Sequence, residues 1–148
     1  MNLFFDTSAL VKFFHEEQGT EIVTGIITDD ENTIYVSELA RIEFISAIYR
    51  RYRSKEIDDY SLMEALKGFD EEFVQFNVES LGSTVLQEAE KLIKSFGKSY
   101  GLRTLDAIHL ATFVLIKEAD WFFVACDDNL INTAKAIGAM VFNPLKSI

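Results

Sequence analysis

The sequence predicts an α/β protein, a three-layer α/β/α sandwich built on a central parallel sheet. Short apolar runs alternate with amphipathic stretches of helical length from one end of the chain to the other. Those short runs lack polar alternation, as strands covered on both faces do. No repeat, low-complexity tract or linker breaks the pattern, so residues 1–148 read as a single domain.

The elements follow in order. Asn2 to Phe5 is an apolar run ending at Asp6 and is the first strand. Thr7 or Ser8 can cap a helix that runs to about His15. Gly19 to Ile27 reads as helix, and Asp29 to Asn32 as a turn. Thr33 to Val36 is rich in β-formers and gives the second strand. Ser37 opens a long helix in which Leu39, Ile42, Glu43, Ile45, Ser46 and Tyr49 recur at helical spacing. Ile57 to Phe73 is a further helix with Asp58 as cap candidate, and Val74 to Val78 is the third strand. Ser83 to Phe96 gathers Val85, Leu86, Ala89, Leu92, Ile93 and Phe96 on one face. Gly97 to Gly101 reads as a loop, and Thr104 caps a helix from Leu105 to about Lys117. Trp121 to Ala125 is the fourth strand and Asp127 to Ile137 the last helix. Met140 to Phe142 is a short fifth strand closed by Pro144.

Composition narrows the function. The length supports one sizeable core. A single cysteine, Cys126, excludes an intramolecular disulfide and a Cys-rich zinc site, and suits a reducing cytoplasm. The apolar run from Leu3 to Phe14 is broken by Asp6 and Lys12 and has no basic leader, so it does not read as a signal peptide. No stretch approaches a membrane span. The formal net charge of −10 is unusual for a protein that meets nucleic acid, because Lys and Arg normally supply that affinity. It fits solubility alone, or carboxylates gathered around bound cations. It would also suit a basic protein partner.

In open parallel sheets the functional crevice lies at the carboxyl ends of the strands. Asp6 directly follows the first strand and Asp127 stands just past the fourth. Glu43 lies on the helix after the second strand, and Asp106 in the first turn of the helix before the fourth. Asp106 is followed by Ala107, Ile108, Leu110 and Ala111, so its helix is apolar nearly all round. A carboxylate there is costly to ionise without a partner, and a divalent cation supplies one. Mg²⁺ and Mn²⁺ favour such oxygen ligands, and a pair of ions can stabilise both oxygens of a phosphodiester displacement. Each acid also has an ordinary explanation. Asp6 and Asp127 could be helix caps, Asp106 could favour the positive helix end, and Glu43 could pair with Arg41 or Arg50. Four acids at one predicted sheet edge are harder to explain by capping.

Other residues divide more plainly. Ser8 and Arg103 are candidates to touch a phosphate, although Ser8 could equally be a capping hydroxyl and Arg103 could pair with a carboxylate. Arg50, Arg51, Arg53 and Lys55 could grip an RNA backbone, but read rather as solvated cations at a helix C-terminus. His109, one turn after Asp106, could be a metal ligand but reads rather as a hydrogen-bonded packing residue of an apolar helix. Tyr49, Tyr52 and Tyr60, with Phe13, Phe14 and Phe69, read mostly as core, some being able to line an interface.

The segments taken in order resemble the PIN domain, and most closely the VapC toxin ribonucleases of toxin–antitoxin pairs. Four stretches carry the likeness: Leu3 to Leu10, Ser37 to Phe44, Leu102 to Ala111 and Phe123 to Leu130. They hold Asp6, Glu43, Asp106 and Asp127 respectively, and the ending from Ala134 to Pro144 matches as well. The resemblance implies an endoribonuclease dependent on Mg²⁺ or Mn²⁺, with Asp6 and Asp106 as main metal ligands and Glu43 and Asp127 completing the cluster. It also implies a homodimer and a cognate antitoxin whose extended tail covers the acidic groove. The family often has Thr or Ser two residues before the fourth acid; here that position is Ala125. That change keeps open a catalytically weak PIN-fold binding or scaffold module. A phosphotransfer domain or a dehalogenase-type phosphatase would want a second acid close to Asp6, and Thr7 and Ser8 stand there instead.

Overall fold

The computed structural model describes residues 1–146. Five parallel strands form one sheet in the order β3-β2-β1-β4-β5. They are β1 (Asn2–Phe5), β2 (Thr33–Ser37), β3 (Asn77–Glu79), β4 (Phe122–Val124) and β5 (Met140–Phe142). The helices are α1 (Thr7–Phe14), α2 (Thr20–Ile27), α3 (Leu39–Arg53), α4 (Asp59–Phe73), α5 (Ser83–Tyr100), α6 (Thr104–Ile116) and α7 (Asp128–Ala136). The sandwich expected from the sequence is therefore present. Among the described residues no helix is long and apolar enough to cross a membrane.

Side-chain alternation along the central strands divides the interior into two cores. Leu3, Phe5 and Val124 pack with α1, α3 and α4 on one face. Phe4, Phe123 and Ala125 pack with α5, α6 and α7 on the other. The first core is stacked aromatic: Phe44 and Phe69 lie 4.0 Å apart and nearly parallel, with Phe14 edge-on to both. Each fully buried Phe contributes roughly 1.5–3 kcal/mol by leaving water. Both faces of β1 are thus apolar, which explains why its sequence does not alternate.

Several boundaries differ from the sequence reading. Residues 97–101 are not a loop: α5 continues through Gly97 to Tyr100 and ends on Gly101 at φ 66°. A helical glycine costs about 1 kcal/mol, and the packing of α5 on α6 outweighs it. The third strand begins at Asn77 rather than Val74, because Val74 still has helical torsions and β2 pairs Val36 with Val78. Ser37 ends β2 instead of opening a helix, and its hydroxyl accepts from the Leu39 N–H at 3.2 Å. Thr104 is the first helical residue of α6 and not its cap, since the chain is still extended at Arg103. Tyr60 is exposed at the surface rather than in the core.

Candidate active site

Since β1 pairs with both β2 and β4, the chain leaves three neighbouring strands at one sheet edge. Asp6 is the first residue past β1 and is almost wholly buried. It caps α1: Oδ2 accepts the Ser8 N–H at 3.1 Å and the Ser8 hydroxyl at 2.5 Å. That hydroxyl in turn accepts the Cys126 N–H at 3.2 Å. Ser8 therefore ties the exit of β1 to the exit of β4 through Asp6. Its hydroxyl is engaged with protein.

Glu43, in the second turn of α3, is held from across the sheet edge. Its Oε1 accepts from the Thr7 hydroxyl at 2.9 Å and from His109 Nε2. His109 is fully buried and its Nε2 stands 3.7 Å from Asp6 Oδ1. The other ring nitrogen, Nδ1, is buried without a partner. Burial acts first to lower the His109 pKa, but the hydrogen bond its ring donates to Glu43 and the charges of Asp6, Glu43 and Asp106 outweigh it and raise it. His109 is thus hydrogen-bonded as expected, and its partner is one of the candidate acids. What the sequence reading missed is that Thr7, read as a cap candidate, and His109 both hold Glu43. The spacing held a signal, since His109 stands three residues after Asp106 and so shares its helix face. Arg41 is not the partner of Glu43; it pairs with Asp70 at 2.6 Å and lies over Phe69 and Phe73.

Asp106 stands in the first turn of α6, where Arg103 Nε and Nη2 each donate to Oδ2 at 3.2 Å. Its carboxyl is raised above its usual range, first by burial and next by the charge of Asp6, with Asp127 adding to the push and Arg103 opposing it. Asp127 caps α7 by accepting the Leu130 N–H at 2.9 Å on Oδ1. Asp128 turns away and pairs with Lys146 at 2.7 Å, so it does not reinforce Asp127. Ala125 is fully buried in the core under α5, α6 and α7.

All four acids line one groove of about 770 Å³ with Ser8 and Arg103. Arg50 and Arg51, for which the sequence reading favoured a solvated role over a grip on an RNA backbone, line it too; the last turns of α3 lean over the sheet edge. Arg53 and Lys55 lie outside it, in a separate hollow. The donor chemistry fits a hard cation: carboxylates from separate elements face one space, and Asp106 is already strained by its anionic neighbours. Among the described residues no three His, Cys, Asp or Glu side chains converge tightly enough to cage an ion alone. A metal held by one or two carboxylates, with water and substrate filling its shell, is the mode Mg²⁺ prefers.

Solved structures share this architecture. The FitAcB structure from Neisseria gonorrhoeae superposes with a TM-score of 0.70 at 14% identity, covering 98% of this chain and 99% of that one. A toxin–antitoxin complex from Klebsiella pneumoniae gives 0.65 at 16% identity, covering 98% and 99%. Residues 3–136 match the PIN domain family, and the chain belongs to it. Two relatives from Mycobacterium tuberculosis, Ribonuclease VapC45 and Ribonuclease VapC49, are each 26% identical over 139 residues, covering 94% of this chain and 93% of theirs. PIN-domain ribonucleases depend on metal ions, in keeping with the donor set described above.

Proposed function

We propose that this chain is an endoribonuclease, the toxin of a toxin–antitoxin pair, acting as one PIN unit over residues 1–148 with Mg²⁺ or Mn²⁺. The observation that carries the reading is the convergence of Asp6, Asp106 and Asp127 on one groove, with Asp106 pushed toward protonation by burial first and then by the other two. The two ribonuclease relatives support it. Asp6 and Asp106 are the main metal ligands, with Glu43 and Asp127 as supporting ones. The metal, when bound, lowers the pKa of water and draws charge from the phosphodiester. The chain supplies the rest. Ser8 fixes the rotamer of Asp6, and Thr7 and His109 fix Glu43 through Oε1. The second Glu43 oxygen is then the one available to take a proton from the attacking water, a role Asp127 could share. Arg103 is exposed and, among the described residues, tethered only to Asp106, so it can turn to a phosphate once a cation neutralises that carboxylate.

The groove also suits a protein partner. Ile42 and Leu105 stand exposed on its rim above an acidic floor. An antitoxin segment offering basic and apolar side chains would cover both. Pairing with a second copy and a cytoplasmic setting complete the reading. The test is direct. Purified wild-type protein should cleave structured RNA with Mg²⁺ or Mn²⁺, be silenced by chelation, and lose activity in Asp6→Asn. Absence of cleavage, together with unchanged cellular toxicity of Asp6→Asn, would leave a PIN-fold scaffold instead.

A further inference from the structure

The groove has a second, oppositely charged wall. Lys12 lies on α1, two turns beyond Asp6, and its side chain is 8% exposed. Its Nζ donates to Glu17 Oε1 at 3.3 Å. Arg51, from the last turns of α3, donates to the other oxygen of the same carboxylate at 3.2 Å. Two cations thus share one anion, and all three side chains line the groove that holds the acids.

The position of Lys12 is built. Gly19, at φ 93°, passes so close that an added Cβ would stand 3.2 Å from Lys12 Cδ. Only a glycine both adopts that torsion and leaves room for the lysine stem. Burying an ammonium is unfavourable without full compensation. Here compensation is partial, because Glu17 carries one charge against the two it faces. The unbalanced charge points to an anion that the groove is shaped to receive.

We infer that Lys12 and Arg51 form a phosphate clamp that grips the RNA backbone beside the acidic centre, on the nucleotide next to the cut. This rests on the nuclease reading and adds to it the residues that set the register of the strand. A purely acidic groove would repel RNA, whereas paired acidic and cationic walls let metal ions take one phosphate and side chains the next. Lys12, a point charge fixed by its surroundings, and Arg51, a planar fork, suit the non-bridging oxygens of a phosphate.

The test uses the full chain carrying Asp6→Asn to suppress cleavage, with Mg²⁺ present. Its affinity for a labelled single-stranded oligoribonucleotide is measured by fluorescence anisotropy across a salt series. Adding Lys12→Met, which keeps the stem, or Arg51→Gln should weaken binding about tenfold and flatten the salt slope by about 0.7, the loss of one single-strand phosphate contact. Arg53→Gln, with the same change of charge but outside the groove, should alter neither. Melting curves show which variants are folded, and the more exposed Arg51→Gln decides if Lys12→Met is not. Affinity and slope equal to the parent's in Arg51→Gln, or no RNA binding by the parent, overturns the clamp. Cleavage by the wild-type chain is scored separately: its absence beside an intact clamp signature overturns the nuclease reading alone.

Discussion

The two walls of the groove contrast in how their charges are held. On the acidic wall each carboxylate has a local partner: Ser8 for Asp6, Thr7 and His109 for Glu43, Arg103 for Asp106, the start of α7 for Asp127. Those partners fix orientation, yet the wall stays net anionic, and Asp106 feels it. On the cationic wall Glu17 bridges Lys12 and Arg51, and the surplus is positive. One wall is poised for a cation and the other for an anion. A groove that must hold a metal ion and a polyanion together needs both.

The largest expected effect comes from breaking the acidic wall. Asp106→Asn should lower RNA hydrolysis by at least about a hundredfold, the scale of losing a charge-stabilising group in a site. The same change should not destabilise the metal-free protein. The raised Asp106 carboxyl means that the folded chain binds this proton more tightly than the unfolded chain. The stability it supplies is complete below the usual carboxylate range and is lost as pH rises through the raised value. Melting of the metal-free wild type across mildly acidic pH should show that loss, and Asp106→Asn should flatten it. A steeper profile in the variant would contradict the assignment.

His109→Ala probes what holds the acidic wall together. It opens a cavity in a fully buried site and strips Glu43 of a partner, so denaturant melts should register a loss of about 3 kcal/mol. Ser8→Ala is smaller. It leaves the Cys126 N–H without its partner and frees Asp6 to rotate, costing about 1 kcal/mol. A fall of about tenfold in kcat with KM nearly unchanged would mark Ser8 as a positioning residue; a matching rise in KM would mark it as a substrate contact instead. At the far end of the scale, Ile42→Asp on the rim should shift stability by less than about 0.5 kcal/mol, since the side chain is 70% exposed. Its effect should appear in antitoxin affinity measured by calorimetry, and a large drop in melting temperature would show that this rim is part of the fold.

The cysteine illustrates how setting decides chemistry. Cys126 lies beside Asp127 yet its thiol is pushed up to about 11, by burial first, with Lys12 opposing and Asp6 adding to the rise. A thiol in that state is a poor nucleophile. It takes no part in the chemistry proposed for its neighbours.

The sequence by itself determined the layer order, the parallel sheet and the edge on which the acids meet. Short apolar runs without alternation, bounded by turn signals, fit strands covered on both faces, and the residues just past such strands lie at one edge. Asp6 and Asp127 were legible on that ground, and as caps also, because an acid at a strand exit serves both roles. The tertiary structure alone decided three things. It bound Glu43 to Thr7 and His109, residues 36 and 66 positions away from it in the chain. It carried α5 through Gly97, where packing overrode a local preference. It brought Arg51 beside Lys12 across a single glutamate, turning residues read as a solvated run and an apolar helix into one wall of the groove. Local pattern reports what each segment prefers, whereas a site assembled from α1, α3 and α6 depends on distances between segments, which packing alone sets.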